Sequence, residues 1–346
     1  MRDERGRPVP AIPQPILGPA TTSAIFLVVT VDDGGHDVVR QLLADLPGLC
    51  RSVSFRSARG DLSCVVGIGA HAWGRLFDGP PPARLHELPV FTGARHRSVS
   101  TPGDLLFHLR AQRMHLCFEL ERLIMERLRR SVTVADEVSG FRYFDARDVL
   151  GFVDGTENPT GSGADDAVHT DDRDEPDHPA GSYVIVQKYL HDLHAWDSLS
   201  TENQELIIGR RKLSDVELSD DEQPDYSHVA LNTIVDEDGT EREILRDNMP
   251  FGSPARDEFG TYFIGYSRDP GITETMLEHM FVGSPTGNYD RILDFSTPVT
   301  GALFYAPSAD FLDDLPPAPS ARPAQSSSSD AEPGSVDLSL GIGGIR

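Results

Sequence analysis

The 346-residue sequence is short of cysteine, of long apolar runs and of positive charge. Its three cysteines, Cys50, Cys64 and Cys117, form no CxxC pair and leave one odd, so a reduced, cytoplasmic protein fits better than a disulfide-stapled one. The longest strongly apolar run, Ala24 to Val29 extended through Thr30 and Val31, is too short to span a bilayer. The charged start, Met1-Arg2-Asp3-Glu4-Arg5, has no hydrophobic segment behind it and does not read as a signal peptide. Lysine and arginine number 31 against 55 aspartates and glutamates, a net charge of −24. That balance argues against duplex nucleic acid, whose phosphates need a basic footprint, and equally against an anionic membrane surface. Lysine occurs only at Lys188 and Lys212, a bias of composition without a functional reading.

What is present is a folded pattern between two unlike ends. Residues 1–20 are proline-rich and predict an extended arm. A β-run follows at Ser23–Val31, then a helix from His36 to Leu46 with Val38, Val39, Leu42, Leu43 and Leu46 on one face. A second β-run, Ser63–Ile68, leads through Gly69 into a short helix around Trp73 and Phe77. Asp104 to Arg130 predicts the strongest helix, with Leu105, Leu106, Leu109, Leu116, Leu120, Leu123 and Ile124 at helical spacing and Asp104 as N-cap. The second half rhymes with the first. Ser182–Leu190 is a β-run followed by a helical pattern through Trp196, and Gly260–Tyr266 leads into a helix from about Ile272 to Phe281. The repeated order predicts an α+β fold of two units, each a sheet with helices on one face. From Pro316 to Ser335, 16 of 20 residues are Pro, Ser, Ala or Gly, a composition that predicts a disordered linker.

Most of the twelve histidines fit solvated or capping roles. His191 and His194 sit at a spacing that suits a metal, but no third ligand accompanies them. Three clusters carry more. Gly151-Phe152-Val153-Asp154-Gly155-Thr156-Glu157-Asn158-Pro159 describes a tight, irregular loop around an aspartate. Ser227-His228-Val229-Ala230-Leu231-Asn232 is the second. The third is Leu245-Arg246-Asp247-Asn248-Met249-Pro250-Phe251-Gly252, in which an extended backbone projects Arg246 and Asn248 from one face. Each alone fits a turn, a cap or an ion pair.

Together, and with Asn288-Tyr289-Asp290-Arg291 and Leu293-Asp294-Phe295 behind them, these clusters resemble the dye-decolourising haem peroxidases in their bacterial B-type branch, over roughly residues 10 to 310. The resemblance implies two ferredoxin-like domains forming a duplicated antiparallel sheet with helices, and haem b, one per chain, in the second. The implied boundaries are 21–145 and 146–310, after the arm of 1–20 and before a linker of 311–335. It also implies that His228 is the proximal ligand of the haem iron and that Asp290 bonds its other ring nitrogen. Asp154, Arg246 and Asn248 would lie on the distal side, and Thr156 and Glu157 would approach the haem edge. Peroxide must lose one proton, and its far oxygen must gain one to leave as water. A distal carboxylate can shuttle it, while a guanidinium that never deprotonates stabilises developing charge. Hydrogen peroxide and aromatic donors such as dyes and phenolics are the implied substrates, in a homo-oligomer. Donors too bulky for a buried haem would be oxidised at a surface Tyr or Trp, with Trp73, Trp196 and the eight tyrosines as unranked candidates. The rivals are a chlorite-dismutase-like reaction on the same fold and a haem- or iron-storing cargo with incidental peroxidase activity.

Acidity is concentrated between Asp154 and Arg246, where residues 161–243 hold 22 acids against six basic residues. The plain reading is a solvated surface; the sharper one is a field that gathers cationic donors or Mn²⁺. The last eleven residues, Val336 to Arg346, resemble the cargo-loading peptide that directs such peroxidases into encapsulin shells. An extended segment there puts Leu338, Leu340 and Ile342 on one side, for pockets on a shell subunit, behind a tether of about 25 Å. Deleting 336–346 is expected to leave peroxidase turnover intact and abolish co-purification with a shell protein; retained co-purification would refute the address.

Overall fold

Strand β1 (Ser23–Val31) is apolar on both faces because it separates two cores. Ile25, Leu27, Val29 and Val31 face one, and Ala24, Phe26 and Val28 the other. The structure, a computed structural model, describes residues 11–57 and 60–319. The first ten residues of the arm, the linker from residue 320 and the 336–346 peptide lie outside the described residues.

The first half runs β1, α1 (His36–Ser54), β2 (Ser63–Gly69), α2 (Ala70–Leu76), β3 (Leu105–Ala111), α3 (Met114–Leu128) and β4 (Val132–Phe141). The second contributes α4 (Gly161–Val168), β5 (Ser182–His191), α5 (Leu193–Asp197), α6 (Thr201–Ile208) and α7 (His228–Asn232). A small hairpin, β6 (Ile234–Val235) with β7 (Glu241–Arg242), precedes β8 (Leu245–Arg246), β9 (Met249–Ser253), β10 (Glu258–Ser267), α8 (Pro270–Phe281), β11 (Ser296–Ala306) and α9 (Ala309–Asp313). One sheet holds both halves in the order β4-β1-β3-β2-β11-β5-β10-β8, with β9 also paired to β10. Each half is an antiparallel ferredoxin-like unit, and they join where Gly69 and Ile68 of β2 pair with Phe304 and Tyr305 of β11. The sheet curls until β9 reaches β4, and Phe26 stacks on Tyr262 across the enclosed core at 4.1 Å. Helices α1 and α3 cover the outer face of the first half, and α8 that of the second. No described helix is long and apolar enough to cross a membrane.

Three expectations change. Asp104 to Arg130 is not one helix: Leu105–Ala111 is β3, paired on both edges and buried on both faces. Burial of both faces removes the period-2 alternation, and a continuous apolar run then mimics a helix. Asp104 is no N-cap; its carboxylate accepts the Val31 backbone N–H at 2.7 Å. Helix α1 continues past Leu46 and through Pro47 to Ser54, since Leu49 and Val53 still bury against the core. Residues 311–319, expected in the linker, are packed: Leu312 is buried, Phe311 lies 5.3 Å from the Trp73 ring, and the Pro317 carbonyl accepts the Asp78 N–H at 2.8 Å. The arm is extended but anchored, with the Gln14 side chain bonded to both N–H and C=O of Val66.

At the seam a Cβ on Gly69 would lie 2.3 Å from the Gly103 carbonyl oxygen, a backbone atom that cannot swing aside. Gly69→Ala is therefore expected to cost about 1–3 kcal/mol, read as a lower midpoint in denaturant; an unchanged midpoint would contradict this packing.

Candidate active site

In the first half, leucine and valine fill the space between sheet and helices. In the second, the corresponding layer is open. A cavity enclosing about 1170 Å³, its mouth included, lies between β5 and β10 on one side and α7 and α8 on the other. Its walls are largely apolar, with Phe152, Ile208, Phe263, Met276, Leu277 and Met280 among them.

His228 enters from the helix side as the first residue of α7, a helix started by Ser227, whose hydroxyl accepts the Ala230 N–H at 3.2 Å. Its Nδ1 donates to Asp290 Oδ2 at 2.6 Å. Asp290 is fully buried and its other oxygen accepts the Ile292 N–H at 3.0 Å, so the carboxylate is fixed from both sides. Asn232, one turn after His228, donates to the His228 carbonyl at 2.7 Å. With Nδ1 protonated toward Asp290, Nε2 presents its lone pair. Burial would lower the His228 pKa, but the charge and hydrogen bond of Asp290 outweigh it and raise the value.

The other wall comes from the sheet and the 151–159 loop. Asn248 donates to both Asp154 oxygens, at 3.2 and 3.0 Å, while its own Oδ1 accepts the Ile264 N–H of β10 at 2.9 Å. The Asp154 carboxylate thus answers to a strand rather than to its own turn. Arg246, on β8, lines the same cavity, and its Nε is buried with no protein partner. Asn158 clamps it by bonding both its backbone N–H (2.9 Å) and C=O (2.7 Å). Thr156 and Glu157 also line the cavity and are held from outside it. Thr156 donates to Asp215 at 2.7 Å, and Arg210 donates to Glu157 at 2.6 Å. A second, more polar cleft, walled by Thr21, Arg142 and Tyr143, also reaches Asp154, Arg246 and Asn248.

His191 and His194 are not brought together. His191 lines the cavity between Ser296 (2.8 Å) and Thr261 (2.9 Å), and burial lowers its pKa to about 4; His194 is exposed beside Asp257. The clamping roles of Asn158 and Arg210 were not visible in sequence. Asn158 stands in the Gly151–Pro159 loop with no neighbour in sequence to give it a role, and Arg210 is marked only by its place at the head of Arg210-Arg211-Lys212 in an acidic stretch.

Family models described as Dyp-type peroxidase, N-terminal, and Dyp-type peroxidase, C-terminal, match residues 13–142 and 145–311. The chain is 56% identical over 338 residues to a dye-decolorizing peroxidase of Rhodococcus erythropolis, covering 98% of each. It is similar to the encapsulated DyP-type peroxidase of Mycobacterium smegmatis, solved by cryo-EM, at 55% identity and a TM-score of 0.88, covering 89% of this chain and 100% of that one. A variant of Rhodococcus jostii DypB solved in complex with heme matches at 54% identity and a TM-score of 0.85, covering 87% and 98%.

Asp148, beside the same loop, accepts the Gly151 and Phe152 N–H groups at 2.9 and 3.0 Å, yet burial raises its pKa to about 7. The fold therefore holds a proton that the unfolded chain releases from its ordinary value of 3.8, so this group's stabilisation is present at low pH and lost as pH rises toward 7. Asp148→Asn is expected to flatten the decline in unfolding free energy between pH 4 and 7 in urea titrations; parallel wild-type and variant curves would contradict it.

Proposed function

The chain belongs to the Dyp-type peroxidase family, and from that premise we propose that His228 ligates the iron of haem b while Asp154, Arg246 and Asn248 work on peroxide at the opposite wall. The chain is a peroxidase, reducing hydrogen peroxide and oxidising aromatic donors such as dyes. The observation that carries the site reading is the 2.6 Å bond between Asp290 and His228 Nδ1, which fixes the tautomer an iron-ligating histidine would need and leaves Nε2 free. An apolar slot between sheet and helices suits a flat, largely apolar macrocycle, and the orphaned Arg246 Nε suits a site built for a further partner. Haem, when bound, supplies the iron at which peroxide is reduced and toward which donor electrons are drawn.

Around it the chain does four things. Asp290, fully buried and bonded to Nδ1, strengthens the donor character of the His228 ring. Asp154 is placed to take a proton from one oxygen of peroxide and return it to the other. Arg246 holds a permanent positive charge beside that oxygen, where negative charge develops. Asn248 keeps Asp154 in place from β10, and Asn158 does the same for Arg246. Thr156 and Glu157, which line the same cavity, would border the haem edge. The boundaries 21–145 and 146–310 are proposed for the two units.

Packaging is proposed on two supports. The relative from Mycobacterium smegmatis is described as encapsulated, and residues 336–346 carry the alternating Leu338, Leu340 and Ile342. The chain would then work as a homo-oligomer inside an encapsulin shell in the cytoplasm. A storage-only cargo is not favoured, since the family's relatives are named for peroxidase activity.

Asp154→Ala and Arg246→Ala, each mixed with peroxide in a stopped-flow spectrometer, are expected to slow the absorbance change by about 10²-fold or more. If neither slows it, the distal assignment is wrong.

A further inference from the structure

A donor too bulky for the cavity must lose its electron at the surface, and the structure separates the aromatic candidates. Trp73 and Trp196 are both buried, the latter with its indole N–H bonded to the Leu150 carbonyl at 2.9 Å. Tyr183, Tyr189, Tyr262, Tyr266 and Tyr305 are buried as well. Tyr143, Tyr226 and Tyr289 remain partly exposed. A phenol gives up an electron at neutral pH only if its proton leaves too, because the oxidised phenol is a strong acid. A waiting base therefore matters as much as exposure. Tyr143 is held by ring contact with Phe144 at 4.4 Å, and Tyr226 lies under the Arg291 guanidinium at 5.8 Å. Of the three, Tyr289 alone donates its hydroxyl to a carboxylate, to Asp294 Oδ1 and Oδ2 at 3.0 and 3.3 Å.

We propose that Tyr289 is the entry point for electrons from bulky anionic aromatic donors, with Asp294 as the base that takes its phenolic proton. The inference rests on the reading of His228 and Asp290 given above. Tyr289 immediately precedes Asp290, so one peptide unit and the 2.6 Å hydrogen bond connect it to His228. Electrons tunnel far better along such a bonded path than across an equal gap. Asp294 is ready to accept. Burial would raise its pKa, but hydrogen bonds from His96 and Tyr289 and the charge of Arg291 hold it below the ordinary carboxylate value. Two guanidiniums flank the phenol ring, Arg95 at 5.9 Å and Arg291 at 5.4 Å from its centre, and Arg95 also donates to the hydroxyl at 3.3 Å. On a chain of net charge −24, that pair gives sulfonated or carboxylated donors a local foothold.

In each turn Tyr289 loses one electron toward His228 and one proton to Asp294, leaving a neutral phenoxyl. The docked donor then gives up one electron, Asp294 returns the proton, and the donor's own proton enters solvent. Two turns supply the two electrons with which hydrogen peroxide, taking two protons from solvent, becomes two waters.

The test is freeze-quench electron paramagnetic resonance of the full-length, haem-loaded enzyme after peroxide addition, beside steady-state kinetics on a sulfonated anthraquinone dye. A tyrosyl signal is expected in the unsubstituted enzyme, in Tyr143→Phe and in Tyr226→Phe, and not in Tyr289→Phe. Asp294→Asn should delay it. Tyr289→Phe should lower kcat for the dye about tenfold, while Arg95→Ala should raise KM for that dye and leave KM for a cationic dye unchanged. A tyrosyl signal that survives Tyr289→Phe, or none in the unsubstituted enzyme, overturns the proposal; an unchanged KM in Arg95→Ala overturns its anionic selectivity. Failure of the underlying reading would look different, as a His228→Ala enzyme that keeps the haem spectrum of the unsubstituted protein.

Discussion

The site depends on one buried carboxylate. Asp290 has no exposure to solvent and is committed on both oxygens, one to the start of a 3₁₀ turn and one to His228. A charge so placed is costly unless paired, and a histidine ring is the partner it has. That pairing fixes which nitrogen of His228 is protonated, hence which can bind a metal. It also ties α7 to the segment between α8 and β11, so the orientation of the His228 ring is set by two elements far apart in sequence. Everything proposed for the cofactor follows from that bond.

The rest of the architecture explains why a cavity exists at all. Duplication gives two sheets of the same order, joined at β2 and β11 into one curled sheet. On its outer face the first half packs Leu42, Leu43, Leu116 and Leu120 to completion. The second half offers Gln187, Thr261, Phe263 and Met276 around open space instead. One copy of the fold is a scaffold and the other is a site. Asp154 and Arg246 are each supported by an asparagine side chain that bonds backbone, a rigid mode of support with few rotamers to lose.

Strands β1, β2, β5 and β10, short runs rich in β-branched and aromatic residues, and helix α8 fall close to where the sequence puts them. Strand β3 was not legible, because its leucines, with no β-branched residue among them, run on toward those of α3 as one apolar pattern, and within it His108 bonds Tyr266 and Arg110 bonds Asp247 in the interior. The identities in the Asp154, His228, Arg246 and Asp290 motifs carried the site, while their meeting in one cavity is a matter of topology that no local pattern states. The clamping by Asn158 and Arg210 was hidden for the same reason, since each bonds residues 50 or more positions away. The clustered acidity between 161 and 243 spreads over surface loops and short helices and forms no metal-sized group of three or more ligands among the described residues.

The central claim, that Asp290 governs a histidine bound to haem iron, is tested most directly by resonance Raman spectroscopy of the ferrous enzyme. The account predicts an iron–histidine stretching band that disappears in His228→Ala and moves to lower frequency in Asp290→Asn, as the ring loses its anionic partner. A band unmoved by Asp290→Asn, or one that persists without His228, would contradict it.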